Sequence, residues 1–340
     1  MEKKREHWID SARGFLISCV VLFHAVGATA SALGEYAPAA LNTIYKFVEA
    51  FNMPSFFVLS GLLWPVCPRS FSEFFVRKVR RLIVPYFIFG GIAALMYLIF
   101  ARKCGLRCDG WWQPFLSIIH AGNWPDGNGF RFNSPLWFLP CMFVVETVYY
   151  LIWRYSGRVW QQLAVFFVVA SIWPYAPKLL PWGFTLAGKY LVFFMLGVFL
   201  SKLHVGLGFG KCAGNVVAAG GWFMGMIFLF LISVHTLVGW TLKTGLISIC
   251  AIGLGASMRG KWIQWCGLSA MGIMLVHKPI ISVMQPLLKC LIPYPASMKV
   301  VLTCLFALSI ISASGFVVAL IRRCCPFALG EFTQAKRRAV

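Results

Sequence analysis

The stretch WIDSARGFLISCVVLFHAVGATASA, residues 8–32, decides the fold class. From Gly14 to Ala32 it contains no Lys, Arg, Asp or Glu. At about 1.5 Å of rise per residue, a helical run of about 20 apolar residues crosses the roughly 30 Å of hydrocarbon in a bilayer. Comparable runs follow at 44–65, 82–101, 135–153, 160–177, 187–202, 213–235, 240–258, 263–287 and 298–321. The pattern predicts an all-α integral membrane protein with about ten transmembrane helices. No extended polar region is left for a separate soluble part, so residues 1–340 read as one transmembrane domain.

Composition supports the same reading. Of the 340 residues, 60% are hydrophobic and only 12% are charged. A water-soluble domain carries about 25% charged residues. The net charge of +21 comes from 31 Lys and Arg against 10 Asp and Glu. An excess of this kind can serve nucleic-acid binding. Here the basic residues sit between the apolar runs, where they act as topology signals, and no nucleic-acid partner is expected.

With the N-terminus inside, the cytoplasmic segments take the larger share of the basic residues. Lys3, Lys4, Arg5, Arg77, Lys78, Arg80, Arg81, Arg322 and Arg323 are among them. Lys46, Arg102, Lys103, Lys243 and Lys299 fall on the outer side. The bias predicts that both termini face the cytoplasm. The basic head and the small residues Ala28, Ala30 and Ala32 imitate a cleavable signal peptide, but Asp10 and Arg13 interrupt it, so the first run reads as a retained span.

The twelve Cys suggest no disulfide framework, since most lie inside apolar runs and no zinc-type spacing occurs. No metal site is expected. Cys104 and Cys108 fall in a polar outer loop from about Arg102 to Pro135, where a bridge is possible but free thiols are the simpler reading. The same loop holds Trp111, Trp112 and Trp124. They read either as interfacial anchors or as faces for a sugar to stack on.

Polar residues inside spans are costly, so they mark candidate chemistry. The first helix carries Asp10, Arg13 and His24. Arg13 and His24 are eleven residues apart, which returns to nearly the same helix face about 16 Å further along the axis. Asp10 is one turn before Arg13 and can pair with it. His24 taken alone fits a structural hydrogen-bond bridge; sharing a stripe with Arg13 gives equal weight to a buried base. Glu49 and Asn52 in the second span come at a depth similar to His24 and can orient it. Arg77, Lys78, Arg80 and Arg81 cluster at the inner end of the third span. They serve as a positive-inside anchor or as a phosphate cradle. Trp137 and Glu146 belong to the fourth span, and Glu146 needs a partner or a proton there. His277 and Lys278 belong to the ninth, with His277 on a largely apolar face that suits a packed structural histidine.

Five segments in order resemble the acyltransferase-3 family of membrane O-acyltransferases. They are WIDSARGFLISCVVLFH from Trp8, FNMPSFFVLSGLL from Phe51, RKVRRLIVPY from Arg77, SPLWFLPCMFVVE from Ser134 and SAMGIMLVHKPI from Ser269. Within the family the chain looks most like the fucose 4-O-acetylase-like branch of sugar acetyltransferases. It departs from the family in Ala12, where Leu is usual, and in offering two overlapping basic pairs, Arg77 with Arg80 and Lys78 with Arg81. It also lacks an appended hydrolase-like domain.

The resemblance implies acetyl-CoA as donor, bound from the cytoplasm with its phosphates on Arg77, Lys78, Arg80 and Arg81 and its pantetheine arm passing Arg13. It implies His24 as general base or transient acyl carrier, acting on a hydroxyl of a glycan or lipid-linked sugar. Asp10 supports Arg13, while Glu49, Asn52, Trp137, Glu146 and His277 fall to the acceptor side or to orienting roles. In a bacterium the location would be the inner membrane, among its lipids. The rival from another class is a proton-coupled transporter, which ten spans with buried Arg, His and Glu would also suit. Against it, no internal repeat is visible and the intramembrane charges concentrate in the first four spans.

Overall fold

The computed structural model describes residues 6–65, 70–100, 111–121, 132–156, 158–173, 181–203, 205–212 and 214–332. All regular structure in them is helical. In chain order the helices are α1 (His7–Leu33), α2 (Ala39–Glu49), α3 (Asn52–Leu62), α4 (Phe71–Lys78), α5 (Val84–Phe100) and α6 (Gln113–His120). Next come α7 (Phe138–Tyr155), α8 (Val159–Ile172), α9 (Phe184–Lys202), α10 (Val205–Lys211) and α11 (Val216–Leu231). The last four are α12 (Leu237–Ser257), α13 (Lys261–Leu268), α14 (Ala270–Met284) and α15 (Ala296–Cys324). Six helical stretches among these residues are long and apolar enough to cross a membrane: His7–Tyr36, Phe71–Phe100, Ser134–Tyr155, Leu237–Ser257, Ala270–Leu291 and Ala296–Cys324. Val159–Ile172 and Val216–Leu231 are shorter apolar helices. The protein is an all-α membrane protein. Cys104, Cys108 and Trp124 lie outside the described residues.

Among the described residues each predicted span overlaps a helix, but two are broken. The run 44–65 divides between α2 and α3 at Ala50 and Phe51. Pro54 explains the division. Proline has no N–H and fits best in a helix's first turn, so it starts a new helix where the sequence suggested a kink. The run 263–287 divides at Ser269 into α13 and α14.

Two compact units emerge: Met1–Trp64 with Leu196–Phe316, and Pro65–Met195 with Val317–Val340. In the first, α1 is the central post, packed against α2, α12, α13 and α14. Ala12, Leu16, Val20, Val21, Ala25 and Val26 are fully buried along it. Small residues make the closest approaches. A Cβ at Gly14 would overlap the Ile263 carbonyl of α13, and one at Gly267 of α13 would overlap the backbone of Asp10. Such contacts let helix backbones touch where lipid gives no hydrophobic drive to associate. Hydroxyls in the spans return to their own helix: Ser18 donates to Gly14 O at 2.8 Å, Thr29 to Ala25 O at 2.9 Å and Ser248 to Thr244 O at 2.7 Å. The hydrogens of these three hydroxyls are thus satisfied within their own helix.

In the second unit, α4 runs into α5 through a π-helical turn, Val79–Ile83. Pro85 follows in the first turn of α5. Its ring crowds the carbonyl four residues back, that of Arg81, and a widened turn accommodates the lost bond. Tyr86 hydroxyl donates to the Ile118 carbonyl of α6, which ties α5 to α6.

Candidate functional site

In the first unit the fold brings two histidines from opposite ends of the sequence together. His24 lies on α1 and His277 on α14, with ring centres 5.3 Å apart and planes tilted by 42°. Phe23 meets His24 edge-on at 5.0 Å and stacks at 4.2 Å on Tyr45 of α2. His277 is completely buried, and its Nδ1 lies 2.8 Å from the carbonyl oxygen of Ile273. His24, in contrast, keeps some accessible surface, as does Arg13, while most of α1 between them is closed off. Asp10 is buried near the start of the helix.

Glu49 and Asn52 part company. Asn52 is buried, and its amide oxygen has no hydrogen-bond partner in the structure. Glu49 lines an open cavity of about 380 Å³ with Lys46 of α2, Ala50 just beyond it, Pro54 of α3, Phe230 of α11, and Trp240, Lys243, Thr244 and Ile247 of α12. Lys243 is held in its wall: Nζ donates to the carbonyl oxygens of Phe230 at 3.1 Å and Ile232 at 2.6 Å, capping the end of α11. α12 also packs on α1, with Gly255 set against Ala12 and Phe15.

In the second unit the four basic residues separate. Lys78 turns inward, and its Nζ makes an ion pair with Glu146 Oε1 of α7 at 2.6 Å. Glu146 is buried, its partner is Lys78, and its other oxygen has none. Arg77, Arg80 and Arg81 remain exposed. Arg80 also rests over the ring of Phe332 at 5.7 Å. The π turn falls within this run, so the side chains no longer follow one helical period. Trp137 precedes α7 and stacks on Tyr190 of α9, centres 5.5 Å apart. Trp111 and Trp112 of the loop before α6 are exposed. Among the described residues no group of three or more His, Cys, Asp or Glu could hold a metal ion.

Apolar helices of spanning length, with paired histidines within the spans and a Lys–Glu ion pair largely withdrawn from solvent, define an integral membrane protein. The chain belongs to the acyltransferase-3 family: that family's acyltransferase domain matches residues 6–321, nearly the whole chain. Comparison with curated proteins and with solved structures found no match.

Proposed function

We propose that this acyltransferase is an O-acetyltransferase, moving the acetyl group of acetyl-CoA to a hydroxyl of a cell-surface glycan or lipid-linked sugar, and that it belongs to the fucose 4-O-acetylase-like branch. In this reading the chain crosses a bacterial inner membrane about ten times with both termini in the cytoplasm. The observation that carries it is His24, half-buried in α1 beside His277 and eleven residues from Arg13, in a chain of the acyltransferase-3 family. His24 accepts the proton of the acceptor hydroxyl while that oxygen attacks the thioester carbonyl. The new C–O bond forms, the C–S bond breaks, and the imidazolium returns its proton to the departing CoA thiolate. Arg13 guides the donor's pantetheine arm. Arg77, Arg80 and Arg81 take the donor phosphates, since guanidinium forks match phosphate oxygens in pairs. Lys78, already engaged by Glu146, anchors the turn that presents them.

The cavity with Glu49, Thr244 and Trp240 suits the acceptor, offering an aromatic face, a carboxylate and a hydroxyl to a ring of hydroxyls. Family membership favours transfer chemistry over the proton-coupled carrier. The test is supply of labelled acetyl-CoA to sealed vesicles of either orientation. Label should reach glycan only when the cytoplasmic face is outermost. Labelling confined to the opposite orientation, or none in either with acceptor present, would refute the donor or its side.

A further inference from the structure

The transfer scheme leaves His277 unused, although its surroundings are specific. A carbonyl oxygen only accepts, so the 2.8 Å contact with Ile273 places the ring hydrogen on Nδ1. The neutral ring then presents a lone pair at Nε2. That nitrogen is buried and has no hydrogen-bond partner in the structure. Burying an acceptor without a donor is unfavourable, and native proteins rarely leave one so unless something is meant to meet it.

The ring facing it is His24, 5.3 Å between centres. An imidazole nitrogen lies about 1.1 Å from its ring centre and an N–H···N bond is about 3 Å long, so two imidazoles joined through nitrogen stand about 5 Å apart. The present spacing already matches. With His277 held by Ile273, it is the His24 ring that would turn to bring an N–H onto His277 Nε2.

We propose that His277 is the positioning residue for His24: its Nε2 accepts the N–H of His24 and so fixes which nitrogen of His24 carries the lone pair. The inference rests on the reading of His24 as the base. With one His24 nitrogen committed to His277, the other is held as an acceptor for the substrate hydroxyl. When His24 takes that proton, His277 continues to accept the first N–H and stabilises the imidazolium. The proton leaves to the thiolate, and His277 never changes protonation. A neutral partner fits this depth better than a carboxylate, because it buries no charge while His24 is at rest.

The test uses the full-length protein in lipid nanodiscs with ring-15N histidine, His24 being assigned by loss of its signals in His24→Ala. Imidazole nitrogen shifts report the tautomer without any reaction. Wild type should show His24 in one tautomer. His277→Ala should show a mixture, and His277→Gln, whose amide oxygen can accept at the position of Nε2, should restore a single form. In acetyl transfer His277→Ala should lower kcat about 10–100-fold at unchanged KM for acetyl-CoA, with His277→Gln recovering most of it. The same single tautomer in wild type and His277→Ala would overturn the proposal. If His277→Ala fails to fold, His277→Gln decides alone, and a mixed tautomer there overturns it. Equal transfer by wild type and His24→Ala would instead remove the reading of His24 as a base, while the tautomers would still report the pair.

Discussion

Lys78 Nζ and Glu146 Oε1 stand 2.6 Å apart, joining α4 to α7 by an ion pair whose two side chains are only 13% and 9% exposed. Removing one partner of such a pair leaves an uncompensated charge, typically at about 3–5 kcal/mol. Lys78→Ala or Glu146→Ala should therefore lower the thermal unfolding temperature in detergent markedly. Lys78→Met with Glu146→Leu should unfold closer to wild type than either single variant. A double variant that lost the sum of both would show that the two side chains are not energetically coupled, contradicting their action as a pair.

The contact of α1 with α13 should be the least forgiving in the first unit. Gly14→Ala and Gly267→Ala each force a Cβ onto backbone atoms, which cannot swing aside. Overpacking of this kind costs about 1–3 kcal/mol. Gly91→Ala in α5 meets nothing within 4 Å and should leave the unfolding temperature unchanged or slightly raised. Thermal unfolding of the three variants side by side checks the ordering.

The exposed arginines should act on donor binding. Neutralising Arg77, Arg80 or Arg81 one at a time should raise KM for acetyl-CoA about tenfold, equivalent to about 1.4 kcal/mol, with the fold intact. Added salt should weaken donor binding less in each variant than in wild type. Unchanged KM in all three would leave them as topology anchors only.

Acceptor binding should respond to the cavity instead. Glu49→Gln and Trp240→Ala should raise KM for the acceptor while KM for acetyl-CoA stays the same. Initial rates with each substrate varied in turn separate the two effects.

Much of the fold was legible because the bilayer fixes both the length and the composition of a span. The run 298–321 became α15 and 9–31 became α1 with only a few residues' difference at the ends. The break at Ala50 was harder, since Pro54 fits equally a kinked helix or the first turn of a new one, and packing chooses. The site was legible in part. Glu146 announced its need for a partner, and Lys78 met it. Four basic residues within Arg77–Arg81 gave no sign of which one faces inward, because the π turn before Pro85 shifts the period there. His277 read as a packed histidine on an apolar face. No spacing rule connects it to His24, and only the meeting of α14 with α1 does. The cavity on α2, α3, α11 and α12 left no motif at all, because its residues come from four helices.

The most direct measurement is transfer of labelled acetyl from acetyl-CoA to glycan in membranes carrying wild type or His24→Ala at matched levels. Label appearing with wild type and lost with a folded His24→Ala is the predicted result. Equal labelling by both would contradict the assignment of His24 as the group that activates the acceptor hydroxyl.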